Sequence, residues 1–220
     1  MDYNGCKNLF RKNVELFGVL IMISIKWKKT VYIILSLIAG VWVITWFCSG
    51  MTFSFSYVCN CIGYSATFLL IVSGIFCSYL WKLKVFQNWL VTVPNLNGVW
   101  KGTIVTNWSG SNCREKQPTI EVTLTIKQSL FRISCVLETS ESFSRSIHAG
   151  FRINPDDQIK QLCYSYQNTP QPLFREKSPI HFGAIILNIN ENNGKLQLEG
   201  EYWTSRKTGG CIALVLDQKK

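Results

Sequence analysis

The feature that most constrains this chain is a run from Thr30 to Trp81, 52 consecutive residues without one Asp, Glu, Lys, Arg or His. Soluble domains carry charge at about one residue in four, and disordered segments carry more, so neither class accommodates such a run. Bilayer hydrocarbon is about 30 Å thick and a helix rises about 1.5 Å per residue, so one crossing takes about 20 apolar residues. The run suits two crossings, Val31–Gly50 and Tyr57–Leu80, with Met51–Ser56 as a turn too short to be a domain. Lys26, Lys28 and Lys29 precede the first span, and Lys82 and Lys84 follow the second. By the positive-inside rule both ends of the hairpin belong in the cytoplasm. Trp27 and Trp81 stand where interfacial aromatic belts stand.

Within the hairpin, small residues recur four apart at Ser36/Gly40, Gly63/Thr67, Ser73/Cys77 and Gly74/Ser78. Such spacing lets helix backbones approach closely in lipid. It suits packing of the two helices against each other, and in a second reading packing between copies. Asn60 is the one strongly polar side chain, which argues against a pathway lined by ionisable groups. The hairpin reads as an anchor or an assembly element. Residues 1–25 form an extension of uncertain status. Val14–Ile25 is apolar apart from Glu15, short for a crossing, and followed by Lys-Trp-Lys-Lys in place of a small-residue cleavage site. It reads as an interfacial segment, or else translation starts at Met22 and residues 1–21 are not part of the working protein.

Past Pro94 the pattern alternates. Residues 26–94 therefore read as the hairpin with its basic flanks, and 95–220 as one cytoplasmic domain carrying 15 Lys/Arg and 11 Asp/Glu. Thr119–Gln128 (TIEVTLTIKQ) places Ile120, Val122, Leu124 and Ile126 on one face, and Phe131, Ile133, Cys135 and Leu137 repeat the pattern after a tight connection. Further strands fit Leu96–Thr106, Phe143–Ile153, Gln158–Gln167, Ile180–Ile189, Leu196–Thr204 and Gly210–Leu216. Turn residues separate them at Asn154–Asp157, Asn168–Pro172 and Glu191–Gly194. The expected fold is an N-terminal two-helix transmembrane hairpin plus an all-β domain, a compact eight-stranded antiparallel up-and-down β-barrel. Closure removes exposed edges, and eight strands leave room for packed side chains or one small ligand.

Nine cysteines without a CxxC pair, in a reducing compartment, read as free thiols; no metal site is expected. His148 and His181 stand apart from any nucleophile or acid cluster, and no HExxH, GxSxG or phosphate-binding Gly loop occurs, so the chain is not expected to be an enzyme. Glu199 and Glu201 share one strand face and read as solvated carboxylates. More informative is Gly200–Gly210 (GEYWTSRKTGG), where aromatics, hydroxyls and cations sit beside glycines, together with Tyr164, Tyr166 and Asn168 closing one strand and His181-Phe182-Gly183 opening the next. Arg gives forked donors to phosphate, aromatic rings stack on bases, and Asn or Thr reads base edges, so this mixture suits an anionic ligand with flat faces. A basic hairpin turn against an anionic leaflet, its aromatics belonging to the core, would use the same residues.

At Leu96-Asn97-Gly98-Val99-Trp100-Lys101-Gly102, Tyr166-Gln167-Asn168-Thr169-Pro170, His181-Phe182-Gly183 and the Leu198–Gly210 run, in that order behind a two-helix anchor, the sequence resembles bacterial CBASS antiphage effectors with two transmembrane helices and a β-barrel sensor. The resemblance runs from about Lys26 to the C-terminus. It implies an inner-membrane protein whose cytoplasmic barrel binds a cyclic dinucleotide from a partner nucleotidyltransferase. On binding the protein oligomerises, and its helices disrupt the membrane and kill the infected cell. Cyclic dinucleotide is then the ligand, with no cofactor and no nucleic-acid polymer as partner. By position, Arg206 is expected to hold phosphate, Tyr166 and Tyr202 to stack, and Asn168, Thr204 and Thr208 to hydrogen-bond base or phosphate, with His181 a further candidate. Two rivals stand beside this reading: a membrane-held lipocalin-like binder of an apolar metabolite, and a ligand-free scaffold.

Overall fold

The computed structural model describes residues 26–50, 54–87, 89–106, 119–154, 156–176, 178–192 and 194–219. The expectations for residues 1–25 lie outside them. Two compact units divide the chain between Pro94 and Asn95.

The first unit holds α1 (Trp27–Cys48) and α2 (Phe55–Ser78), both long and apolar enough to cross a membrane. The helix α1 starts ahead of the expected apolar span and includes Lys28 and Lys29, because lysine is a good helix former and charge alone does not break a helix. It closes with the Ser49 N–H on the Thr45 carbonyl at 2.9 Å. Ser54 caps α2, its hydroxyl accepting from the Ser56 N–H at 3.3 Å, so that helix also starts before the expected Tyr57. The seam between the helices is not made by the glycines. Gly40, Gly63 and Gly74 have open space where a Cβ would stand, which corrects the expectation that they pack the hairpin together. The buried residues of α2 are Tyr57, Cys61 and Ser65, spaced one turn apart along one face. Tyr57 Oη donates to the Trp42 carbonyl at 3.0 Å, and Thr45 Oγ1 lies 3.0 Å from Cys61 Sγ. Trp81, just past α2, is fully buried within the protein.

The second unit is a closed barrel of eight antiparallel strands in sequence order: β1 (Gly98–Thr106), β2 (Thr119–Gln128), β3 (Ile133–Glu138), β4 (Ser142–Asn154), β5 (Ile159–Pro170), β6 (His181–Asn192), β7 (Lys195–Thr204) and β8 (Gly209–Lys219). Closure comes from β1 pairing with β8, Gly102 opposite Leu214 and Ile104 opposite Ile212. Period-two alternation puts Trp100, Leu124, Ile126, Cys135, Leu162, Leu187, Leu198 and Leu214 inside, each essentially inaccessible to solvent. That is the core. The connections β3–β4, β5–β6 and β7–β8 lie at one end, here called the mouth; Gly98 and Lys219 pair at the other.

Several boundaries differ from the sequence reading. Phe131 is exposed in the β2–β3 connection, where Ser129 N–H donates to the Arg132 carbonyl at 2.7 Å, and Leu130 takes the buried place. The strand β5 runs on to Pro170, which pairs with Ser142. Proline at the last position of a strand, with the Gln171 N–H donating to the Glu141 carbonyl at 2.9 Å, continues the ladder that its own missing donor would have stopped. At the closed end the chain entering β1 is held by amides. Asn97 Nδ2 donates to the Gln128 carbonyl at 2.9 Å, the Gln128 N–H donates to Asn97 Oδ1 at 2.7 Å, and the Leu96 N–H donates to Gln128 Oε1 at 2.8 Å. Trp100 Nε1 donates to the Leu96 carbonyl at 3.0 Å, which satisfies the indole of a wholly buried ring.

Candidate functional site

Alternation decides which strand residues face the barrel interior. On β5, Leu162, Tyr164, Tyr166, Asn168 and Pro170 are the buried set. On β7, Tyr202 and Thr204 share the parity of buried Leu198, and on β6 His181 shares that of Ile185 and Leu187. Five of the seven residues singled out in the sequence, Tyr166, Asn168, His181, Tyr202 and Thr204, thus lie on one inward face. Trp203 points the other way and is exposed.

Pairing brings these five together at the mouth. Asn168 is opposite His181, Tyr166 opposite Gly183, and Gly183 opposite Thr204, so three strands present them in adjoining rows. Tyr202 pairs with Gly210 on the far side. The tyrosine rings lie over those glycines: a Cβ on Gly183 would collide with the phenol of Tyr166, and one on Gly210 with the ring of Tyr202. Tyr164 and Tyr166 form a tilted aromatic pair with centroids 6.2 Å apart. Burial, and then repulsion from Tyr202, pushes the Tyr166 phenol well up, and burial does the same to Tyr164. Both phenols therefore stay protonated and neutral at cellular pH.

The remaining two residues belong to the β7–β8 turn. Thr204 Oγ1 is 2.7 Å from Thr208 Oγ1, and the Thr204 N–H donates to the Thr208 carbonyl at 2.9 Å. These hydroxyls shape the turn, and the Arg206 N–H donates to Thr204 Oγ1 at 3.2 Å. Arg206 itself is exposed on the rim, its Nη1 donating to Ser178 Oγ of the β5–β6 connection at 2.7 Å. The His181 Nδ1 is 2.9 Å from the Pro179 carbonyl. A recess of about 1140 Å³ opens at this end, bordered by Gly102, Val122, Ser142, Pro170, Phe174 and Ser178 among others. A separate open groove of about 510 Å³ crosses the outside of the barrel, and neither the recess nor the groove is bordered by any of the seven residues. The groove carries Glu199 and Glu201, and the recess carries Glu121, Glu138 and Glu141, carboxylates that oppose an anion at either place.

Ser142, Ser144 and the two glycines were not foreseen. Asn168 Nδ2 donates to Ser144 Oγ at 2.8 Å and to Ser142 Oγ at 3.0 Å, an arrangement set by the β4–β5 register. A bulge between Ser146 and His148 reverses the alternation of β4 midway, so its inward residues are Ser142 and Ser144 before the bulge and Phe151 after it. The only signal in the sequence was the serine-rich start of β4.

The match to known proteins follows this geometry. Residues 91–215 match the Cap15 cyclic dinucleotide receptor domain. The chain belongs to the Cap15 family. Its matched segment begins ahead of β1, ends within β8, and contains all seven residues. A relative from Staphylococcus schleiferi, CD-NTase-associated protein 15, is 25% identical over 190 residues, covering 86% of this chain and 91% of the relative. An alignment of that length exceeds the barrel unit and reaches into the helical one. The CBASS effector resemblance read from the sequence is the family found. The Cap15 domain is a receptor domain, and among the described residues no group of three or more His, Cys, Asp or Glu could hold a metal ion.

Proposed function

We propose that this Cap15 protein is an inner-membrane antiphage effector whose barrel mouth binds a cyclic dinucleotide made by a partner nucleotidyltransferase. The observation that carries the reading is the convergence of Tyr166, Asn168, His181, Tyr202 and Thr204 on one inward face, with Arg206 on the rim above them. The rings offer stacking surfaces, the guanidinium offers forked donors to phosphate, and the amide and hydroxyls offer directional hydrogen bonds. An apolar metabolite would leave the buried Asn168 Oδ1 without a partner, which disfavours the lipocalin-like alternative.

The ligand acts as a switch by binding the self-associating state more tightly than the resting one. Tethering concentrates the helices as the barrels gather. The open faces of Gly40, Gly63 and Gly74 are then available for close helix packing between copies, and the assembled helices breach the bilayer. Both termini lie in the cytoplasm, from the lysines that flank the hairpin. The domain arrangement follows: hairpin over 26–94, sensor over 95–220.

Calorimetry of the full-length protein in detergent against cyclic di- and trinucleotides tests the binding step. Sedimentation of the same samples tests the switch. Saturable heat with a dinucleotide and a ligand-dependent rise in mass are expected; no heat with any of them overturns the reading.

A further inference from the structure

On the reading that the mouth binds a cyclic dinucleotide, we infer that Asn168 reads a nucleobase edge as a hydrogen-bond acceptor and does not hold phosphate. Asn168 is only 8% exposed and lies on the inward face of β5, between Tyr166 and Pro170. Its amide nitrogen is committed on both hydrogens, to Ser144 Oγ at 2.8 Å and to Ser142 Oγ at 3.0 Å. The chain of donors continues away from the interior. Ser142 Oγ is 3.2 Å from Thr139 Oγ1, and Thr139 Oγ1 donates to the Ser142 carbonyl at 3.3 Å. A backbone carbonyl only accepts, so it terminates the relay and orients each hydroxyl before it. That leaves Asn168 Oδ1 as a buried acceptor with no hydrogen-bond partner among the described residues.

Buried polar atoms left unpaired are uncommon, because each forfeits a hydrogen bond it had with water. A ligand that supplies an N–H to this oxygen offsets that loss. Phosphate oxygens are acceptors and would meet Oδ1 with like charge. Nucleobases present N–H donors on their pairing edges: the exocyclic amines of adenine, cytosine and guanine, and the ring imides of guanine and uracil. Tyr166 lies on the same face one pleat deeper, placed to stack on the base that Asn168 reads. Phosphate recognition falls to Arg206, whose partner Ser178 borders the same recess as Ser142.

The test uses full-length protein in detergent and a panel of cyclic dinucleotides built from adenine, guanine, cytosine and uracil. Each is paired with a counterpart in which methyl groups replace every pairing-edge N–H, two on an exocyclic amine and one on a ring nitrogen, and calorimetry reads the penalty of methylation. For the natural protein the expected penalty with the best ligand is roughly tenfold or more in affinity. In Asn168→Leu, close in shape but without the acceptor, the natural ligand binds weaker by a similar factor and the methylation penalty disappears. In Ser144→Ala the amide loses one acceptor and can turn over, so the penalty shrinks there too. A natural protein that binds dinucleotides without a methylation penalty overturns the inference and leaves the cyclic dinucleotide reading standing. A penalty undiminished in Asn168→Leu also overturns it, because steric exclusion would then be the cause. No binding of any dinucleotide removes the functional reading itself.

Discussion

The phenol of Tyr166 occupies the space that a side chain on Gly183, its partner across the β5–β6 ladder, would need. One residue gives up its Cβ so that the other can lie flat against the barrel wall. At Gly210 a Cβ would meet the ring of Tyr202 too, but its severest clash would be with the Val105 carbonyl of β1. The mouth is therefore lined by rings whose positions depend on absent side chains.

Gly183→Ala must push the Tyr166 ring off its seat. Overpacking of this kind costs about 1–3 kcal/mol. The variant is expected to fold with a lowered melting temperature and to bind cyclic dinucleotide at least tenfold more weakly. Circular dichroism and calorimetry on the same samples check both; unchanged affinity would place the ligand away from Tyr166.

Arg206 is exposed and makes one side-chain hydrogen bond, to Ser178, so Arg206→Ala is expected to leave the melting temperature unchanged. Charge-assisted hydrogen bonds to phosphate contribute about 1.5–3 kcal/mol. Affinity should accordingly fall by roughly tenfold or more, and Arg206→Lys should recover only part of it, since lysine keeps the charge and loses the fork. Titration at two salt concentrations separates the two effects.

Asn97 works at the opposite end from the candidate ligand residues. Asn97→Ala leaves the Gln128 N–H and carbonyl without their side-chain partner, at a cost of about 1–3 kcal/mol. Urea unfolding of the variant should show the lower midpoint, while the dissociation constant for cyclic dinucleotide stays as in the natural protein.

Burial pushes the Cys135 thiol from its ordinary 9.0 up to about 12. The folded state thus holds this proton after the unfolded chain has released it. Its contribution is complete below about pH 9 and is lost as pH rises toward 12, by up to about 4 kcal/mol. Tyr164 and Tyr166, also raised by burial, act in the same direction from their ordinary 10.0 upward. Denaturant midpoints measured from about pH 8 to about pH 10 should fall with pH, and fall less steeply in Cys135→Ala.

Much of the fold was legible in one dimension. Two uncharged apolar runs gave two helices long enough to cross a membrane, and eight alternating segments separated by turn residues gave a closed meander. Boundaries were less legible where tertiary pairing overrides local signals. Pro170 reads as a break, yet it pairs with Ser142 at the last rung of β4–β5. Phe131 reads as core, yet the hydroxyl of Ser129, accepting from the Arg132 N–H at 3.1 Å, turns the chain and leaves that ring outside. The candidate ligand residues were visible as a composition of aromatics, hydroxyls and a cation near strand ends. Their common orientation was not, and neither were Ser142 and Ser144, hidden by the bulge in β4.

By itself the sequence determined that this chain has two helices long and apolar enough to cross a membrane and an alternating β domain. Those properties follow from periodicity and the absence of charge, which are local. Only the tertiary structure decided which face of each strand is interior, and so put Tyr166, Asn168 and Tyr202 inside and Trp203 outside. Register is a relation between strands distant in sequence, and a one-residue slip would turn every one of these side chains to the other face.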